Sequence, residues 1–124
     1  MDVLKTDKAP AAIGPYSQAV RQGNFIFASG QIPIDPATGK LIEGDFEAKV
    51  RRVFENLREV LASGGAGFTN VVKATVYLKD IKDFPKLNEI YAECMGSHKP
   101  ARSTVGVAQL PLDAPVEIDL IAMV

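Results

Sequence analysis

The feature of this 124-residue chain that most constrains its fold is a pair of strand-like segments that are apolar on both faces. In each segment, apolar residues occupy both alternating sets of positions: Phe25 and Phe27 against Ile26 and Ala28, and Ile121 and Met123 against Ile118 and Leu120. Successive side chains of a strand point to opposite faces of its sheet, so both faces of these strands need to be buried. The fold must therefore cover its sheet on two sides.

Two other segments have the apolar spacing of one-sided helices. Asp45 is placed to cap the first helix, which Gly64 ends. Asp83 is placed to cap the second, with Pro85 in its first turn and Gly96 after its end. The apolar stripes are Phe46, Val50, Val53, Leu57 and Val60 in the first helix and Phe84, Leu87, Tyr91 and Met95 in the second. Each helix can cover one side of a sheet.

Turn residues and period-two alternation predict six strands, at 16–20, 24–28, 31–34, 71–78, 103–108 and 116–123. This order fits one domain, residues 1–124, with an α+β two-layer sandwich in which both helices cover the same face of one mixed six-stranded sheet. The other face is then a large apolar patch, and we predict that it is buried against copies of the same chain. A long loop folded over it is the alternative, but the loops are short.

Charge and apolar patterning exclude several classes of protein. Fourteen basic residues against fifteen acidic ones give a formal net charge of -1, which argues against nucleic acid as a partner. No apolar run approaches the ~20 residues that span a bilayer. The N-terminal stretch MDVLKTDKAPAA has neither the apolar region of a signal peptide nor the arginines of a transit peptide. We expect a cytoplasmic protein with no membrane partner.

Motifs for metal, nucleotide or nucleophilic chemistry are missing. Cys94 is the one cysteine and lies on a helical apolar face, where we expect a buried, inert thiol. His98 has no partner at a ligand-like spacing, so we expect a solvated loop residue and no metal site. The chain contains no GxGxxG or GxSxG, and GGAGF at 64–68 lacks the lysine and hydroxyl residue of a phosphate loop.

Arg102 is the strongest candidate for binding a ligand. It follows Pro100 and Ala101, and the proline holds the chain extended where the arginine leaves the start of a strand. A guanidinium group offers a planar fork of donors that matches a carboxylate with two parallel hydrogen bonds. A small carboxylate is therefore a natural ligand. Composition alone favours the alternative, a solvated arginine at a strand end.

Further candidates lie at strand edges. Alternation places Glu117 on the sheet face away from the helices, where it could orient a water molecule or act as a general base, or equally form an ion pair between subunits. Ser29 and Gly30 lie in the segment ASGQIP, where glycine lets the backbone approach a ligand closely. Tyr16 could close a pocket, although an aromatic residue at a strand start more often belongs to the core.

The sequence around these residues resembles the RidA family, the reactive intermediate deaminases that hydrolyse imines and enamines. The C-terminal match comprises Pro100, Ala101, Arg102, Ser103, Val105, Ala108 and Leu110, followed by Val116, Glu117 and Ile118. The segments APAAIGPYSQA, ASGQIP and VVKATVYLKDIKDFPKLNEIYAE are also similar to the family. The resemblance thus covers nearly the whole chain.

The resemblance implies a chorismate-mutase-like α+β fold and a barrel-like homotrimer with its active sites in the clefts between subunits. It implies 2-iminopropanoate and 2-iminobutanoate as substrates, each hydrolysed to a 2-keto acid and ammonia without a metal or organic cofactor. Some relatives have instead been described as ribonucleases or translation inhibitors. A trimer that binds 2-keto acids without turnover is a further alternative, because a fold match does not settle activity.

Specific roles follow from the resemblance. Arg102 would bind the substrate carboxylate, and the Gly30 backbone would contact the imino end. Glu117 would position or activate water, while Tyr16 and Ser29 would line the pocket, partly from a neighbouring subunit. Thr104 would be a further substrate-binding residue. The best-known members have cysteine at its position, so a threonine there favours direct attack by water over a thiol intermediate.

Overall fold

The computed structural model of the protein describes residues 1–124. The strands are β1 (Asp2–Leu4), β2 (Ala19–Gln22), β3 (Phe25–Gln31), β4 (Ile34–Asp35), β5 (Lys40–Leu41), β6 (Val71–Leu78), β7 (Ala101–Gly106) and β8 (Val116–Met123). The α-helices are α1 (Phe46–Ser63) and α2 (Phe84–Met95). Short 3-10 turns occur at Phe68–Asn70, Ile81–Asp83 and Pro111–Asp113.

One mixed sheet of six strands forms the centre of the fold, in the order β1-β2-β3-β8-β6-β7. All neighbours are antiparallel except β6 and β7, which are parallel and are connected by α2. Both helices pack on the same face of this sheet and enclose the hydrophobic core with it. The predicted α+β sandwich is confirmed.

The identity of one predicted strand is wrong. Residues 31–34 do not form a strand of the main sheet: Gln31 ends β3, and Ile34 starts a separate two-stranded sheet with Lys40–Leu41. Pro33 has no N–H to donate to a ladder, and the turn after it is closed by the Gly39 N–H donating to the Asp35 carbonyl at 2.8 Å. The sixth strand is instead β1, whose three residues are too few to show an alternation.

Other strand boundaries shift for local reasons. The strand predicted at 16–20 starts only at Ala19, because the Tyr16 N–H donates to the Gly14 carbonyl in a turn. The strand predicted at 24–28 runs on to Gln31, and the one predicted at 103–108 becomes Ala101–Gly106. The strands at 71–78 and 116–123 have the predicted bounds.

The helices follow the predicted stripes, with one correction at a cap. The Asp45 carboxylate accepts a hydrogen bond from the Ala48 N–H at 2.9 Å and caps α1. Asp83 precedes α2 but its side chain caps nothing. The Asp80 carboxylate instead accepts from the Lys82 N–H at 2.9 Å, because a 3-10 turn leads into α2 and its start is the end that needs the cap.

The sheet face away from the helices, here called the open face, is uncovered in the single chain. Phe25, Phe27 and Met123 on this face are 41%, 44% and 49% exposed, whereas Ile26 and Ile118 on the covered face are fully buried. No loop covers these aromatic side chains. The predicted apolar patch is therefore present.

Three further features complete the fold. His98 is not simply solvated as predicted: it is half-buried, and its Nε2 lies 2.6 Å from the Val71 carbonyl, because the loop after α2 folds back over the start of β6. Cys94 is half-buried, and burial raises the pKa of its thiol. Neither α-helix combines the length and the apolar character needed to cross a membrane.

Candidate functional site

A cleft of about 680 Å³ lies beside the bulged end of β3, and four of the predicted site residues line it. They are Tyr16, Ser29, Gly30 and Glu117. Tyr16 is 54% exposed and therefore does not belong to the core. The structure thus brings together residues from three separate parts of the sequence.

A β-bulge in β3 builds the floor of this cleft. Ala28 pairs with Leu120 and Gln31 with Ile118, so Ser29 and Gly30 together face the single residue Asp119. The Ser29 N–H donates to the Gln18 carbonyl at 2.9 Å, and the Ser29 hydroxyl donates to the Ser17 carbonyl at 2.6 Å. These bonds turn Ser29 toward the N-terminal segment and leave Gly30 exposed at the cleft.

Gly30 and Glu117 are in direct contact. A Cβ at Gly30 would lie 2.8 Å from the Glu117 Oε2 and 2.9 Å from its carboxyl carbon, so any other residue here would force the Glu117 carboxylate to move. The backbone of Gly30 is not left-handed, so the need for glycine here comes from the neighbouring carboxylate. The glycine in ASGQIP therefore makes room for Glu117.

Glu117 is half-buried on the open face, and its pKa is raised. Burial is the main cause, and the negative charge of Asp119 two residues along the strand adds to it. Burial also raises the pKa of Asp119, although the Tyr77 hydroxyl opposes this by donating to the Asp119 Oδ2 at 3.2 Å. A carboxylate with a raised pKa is a stronger base toward water.

Arg102 and Thr104 lie on the opposite side of the sheet. Arg102 pairs with Ala74 and Thr104 with Val76, and both of these partners are fully buried beneath the helices. The Arg102 guanidinium carbon lies 4.7 Å from the centre of the Tyr91 ring. The Thr104 Oγ1 is buried and has no hydrogen-bond partner.

The six predicted residues therefore form two groups within one chain. Glu117 and Gly30 belong to the cleft, whereas Arg102 and Thr104 are not among the residues that line it. No carboxylate of the chain lies within ion-pair distance of Arg102. Nor does any group of three or more His, Cys, Asp or Glu side chains converge as a metal site.

The comparison with protein families identifies this fold. A model of the family described as Endoribonuclease L-PSP matches residues 6–124. The chain belongs to this family, which contains the RidA proteins. The resemblance predicted from the sequence is confirmed.

Relatives match along nearly their whole length. A RutC family protein of Pyrococcus abyssi is 53% identical over 121 residues, which are 98% of this chain and 95% of the relative. A bovine relative named 2-iminobutanoate/2-iminopropanoate deaminase is 47% identical over 121 residues, which are 98% of this chain and 88% of the relative.

Solved structures show the same RidA fold. A Thermotoga maritima protein, 52% identical, matches with a TM-score of 0.98 over 100% of this chain and 98% of its own. E. coli TdcF with bound serine, 38% identical, matches with a TM-score of 0.95 over 100% of this chain and 99% of its own.

Sequence reasoning missed Gln18, which holds one wall of the cleft in this RidA-family chain. Its buried Nε2 donates to the Pro10 carbonyl at 2.7 Å and to the Thr6 carbonyl at 3.0 Å, while its Oε1 accepts from the Thr6 N–H at 2.8 Å. These bonds fasten the N-terminal segment that contributes Pro10 and Ile13 to the cleft. Nothing in the local sequence distinguishes Gln18 from a surface glutamine.

Sequence reasoning also missed Leu112, which lines the cleft from the loop before β8. Leu112 and Asp113 have φ values of 56° and 57°, in the left-handed region that costs a residue with a side chain about 1 kcal/mol or more. The Lys79 Nζ holds this loop by an ion pair with Asp113 at 2.6 Å. The proline-rich sequence LPLDAP signals a loop but not this conformation.

Proposed function

We propose that this chain hydrolyses 2-iminopropanoate and 2-iminobutanoate to the corresponding 2-keto acids and ammonia, at a site formed by two copies. The observation that carries the proposal is that the sheet separates Arg102 from Glu117 within one chain. Arg102 is suited to bind the substrate carboxylate and Glu117 to activate water, so a complete site needs residues from two copies. The deaminase name of the bovine relative supports the reaction class. The serine bound to E. coli TdcF supports a small carboxylate ligand.

The open face supplies the reason for a second copy. Its exposed aromatic residues Phe25 and Phe27 form an apolar surface that association would bury. A neighbouring chain docked there brings its own β7, with Arg102 and Thr104, toward the cleft that holds Glu117. The number of three copies is taken from the family resemblance, and the location in the cytoplasm stays a prediction.

The proposed reaction needs one water molecule and no cofactor. Glu117 accepts a proton from water as the water oxygen attacks the imine carbon and passes that proton to the nitrogen, which gives a carbinolamine. Glu117 then transfers the proton of the carbinolamine hydroxyl to the nitrogen, so that the C=O bond forms, the C–N bond breaks and ammonia leaves. Arg102 binds the carboxylate through two parallel charge-assisted hydrogen bonds and holds the imine carbon in place. Thr104 provides no thiol, so the water attacks directly.

Arg102→Ala tests the role of the arginine. In a coupled assay in which threonine dehydratase supplies the imine, we expect the variant to lose the acceleration of keto-acid formation. Arg102→Lys should also be poor, because a point charge does not reproduce the two-pronged contact. Arg21→Ala, at an arginine far from both groups on β2, is the matched control. Full turnover in Arg102→Ala would contradict the proposal.

Mixing two inactive variants tests the shared site. If Arg102 and Glu117 come from different copies, Arg102→Ala and Glu117→Gln chains refolded together regain activity at sites where each contributes its intact residue. Random mixing of equal amounts restores about one quarter of the sites, since each of the two contributions is intact in half of the cases. Activity that stays at zero in verified mixed oligomers would contradict a site between copies.

Endoribonuclease activity is a second candidate, because the family description carries that name. The net charge of -1 counts against it, since RNA-binding surfaces concentrate basic residues. RNA cleavage that persists through further purification and survives Arg102→Ala would favour it. A non-catalytic module would bind 2-ketobutyrate and leave the lifetime of the imine unchanged in the coupled assay.

A further inference from the structure

The Arg102 guanidinium lies against two aromatic rings and forms no ion pair with a carboxylate of its own chain. Its guanidinium carbon lies 4.7 Å from the centre of the Tyr91 ring and 5.5 Å from the centre of the Phe84 ring. Phe84 and Tyr91 lie about two turns apart on the same face of α2, whose inner side covers β6 and the edge strand β7. The side chain therefore crosses from the edge of the sheet into a slot between helix residues.

Such a slot restricts the guanidinium group without using its donors. Arginine packs on ring faces through the cation and its flat π system, while its N–H donors point outward in the plane of the group. A free arginine side chain loses about 2 kcal/mol of rotamer freedom when it is fixed in one place. Rings that already hold it in place reduce the cost of fixing it when a ligand binds.

We propose that Phe84 and Tyr91 are positioning residues that hold the Arg102 guanidinium with its donor edge free for the substrate carboxylate. This inference rests on the proposed function in one respect, the role of Arg102 as the carboxylate-binding group. It adds the second half of that role, which is orientation. In this role both rings act through the arginine rather than on the reacting atoms.

The chemistry of Tyr91 points to its ring rather than to its hydroxyl. The residue is 9% exposed, and its hydroxyl is buried without a hydrogen-bond partner. Burial raises the pKa of this hydroxyl, although the nearby charge of Arg102 opposes the rise. The part of Tyr91 that we assign to the site is thus the ring face that packs on Arg102.

The test compares variants that remove a ring with variants that keep it. Tyr91→Leu and Phe84→Leu remove one ring each, whereas Tyr91→Phe keeps the ring and loses the hydroxyl. Phe68→Leu is the matched control, because Phe68 packs on Phe54 and makes no contact with Arg102. The measurements are KM and kcat in the imine assay and the Kd of 2-ketobutyrate by calorimetry.

We expect Tyr91→Leu and Phe84→Leu to raise KM and Kd by about 3- to 30-fold, the range that one cation–π contact provides. Their kcat should stay within about twofold of wild type, because the water-delivering group is untouched. Tyr91→Phe and Phe68→Leu should keep the wild-type KM and Kd. In an Arg102→Ala background, Tyr91→Leu should weaken 2-ketobutyrate binding no further.

Several outcomes would overturn the inference. Unchanged KM and Kd in a folded Phe84→Leu would do so, as would an equal loss of affinity in Phe68→Leu or a loss in Tyr91→Leu that persists without Arg102. If Tyr91→Leu does not fold, Phe84→Leu provides the same test, because Phe84 is only half-buried. The proposed function fails by a different result: full activity of Arg102→Ala, whatever the rings do.

Discussion

The two faces of the six-stranded sheet are built from alternate residues of the same strands, yet they serve different purposes. On β8, Ile118 and Leu120 are buried beneath the helices, while Glu117 and Asp119, which alternate with them, face the open side with raised pKa values. The covered face stabilises the single chain. The open face leaves its apolar and acidic groups uncovered in the single chain, so a residue's face says more about its surroundings than its position along the strand.

The largest difference between the faces should appear in the free energy of unfolding. Ile118→Ala on the covered face should cost about 2–5 kcal/mol, because it leaves a cavity in a closed core. Ile121→Ala, the same change on the open face of the same strand, should cost less than about 1 kcal/mol in the dissociated chain. Urea unfolding at low protein concentration measures both, and equal losses would remove the distinction between the faces.

Assembly should depend on the open face alone. Phe27→Ser removes a half-exposed ring from that face and should weaken association by roughly 10- to 150-fold per contact, from the ~1.5–3 kcal/mol of a buried phenylalanine. Sedimentation over a range of concentrations measures the change. Ile81→Ser, at an exposed apolar residue outside the sheet, should leave association as in wild type. An unchanged oligomer in Phe27→Ser would place the interface elsewhere.

The contact between Gly30 and Glu117 gives a sharper comparison within the cleft. Gly30→Ala places a methyl group against the Glu117 carboxylate and should lower kcat by about 10- to 100-fold, because the carboxylate must move away from the position in which we propose that it orients water. Gly67→Ala is the control, since a Cβ there meets nothing within 4 Å. Equal activity of the two variants would contradict a role for Glu117 in the reaction.

The smallest expected effect concerns pH. Because the pKa of Glu117 is raised by folding, the folded chain binds this proton more tightly than the unfolded chain, and stability falls as pH rises from the unfolded toward the folded pKa. Glu117→Gln should therefore be slightly more stable than wild type at neutral pH and no more stable below the ordinary carboxyl pKa, while losing activity. Thermal unfolding across pH measures this, and a variant that is less stable at neutral pH would contradict it.

Local patterns predicted much of this fold correctly because the interactions behind them are local. The Asp45 cap, the α1 stripe and the bounds of β6 and β8 depend on backbone geometry within a few residues. The wrong strand predictions lie where contacts between residues distant in the sequence determine the structure. The three residues of β1 form a strand because β2 lies beside them, and Pro33 diverts the predicted strand at 31–34 into a small hairpin.

The sequence by itself determined which side chains alternate, and so that Glu117 lies away from the helices and that a bare apolar face exists. Only the tertiary structure decided that Gly30 makes room for Glu117, that Gln18 fastens the cleft wall, and that Arg102 lies across the sheet against Phe84 and Tyr91. The physical reason is that alternation is a property of one strand. Contacts across a bulge, or between an edge strand and a helix, depend on how separate elements pack.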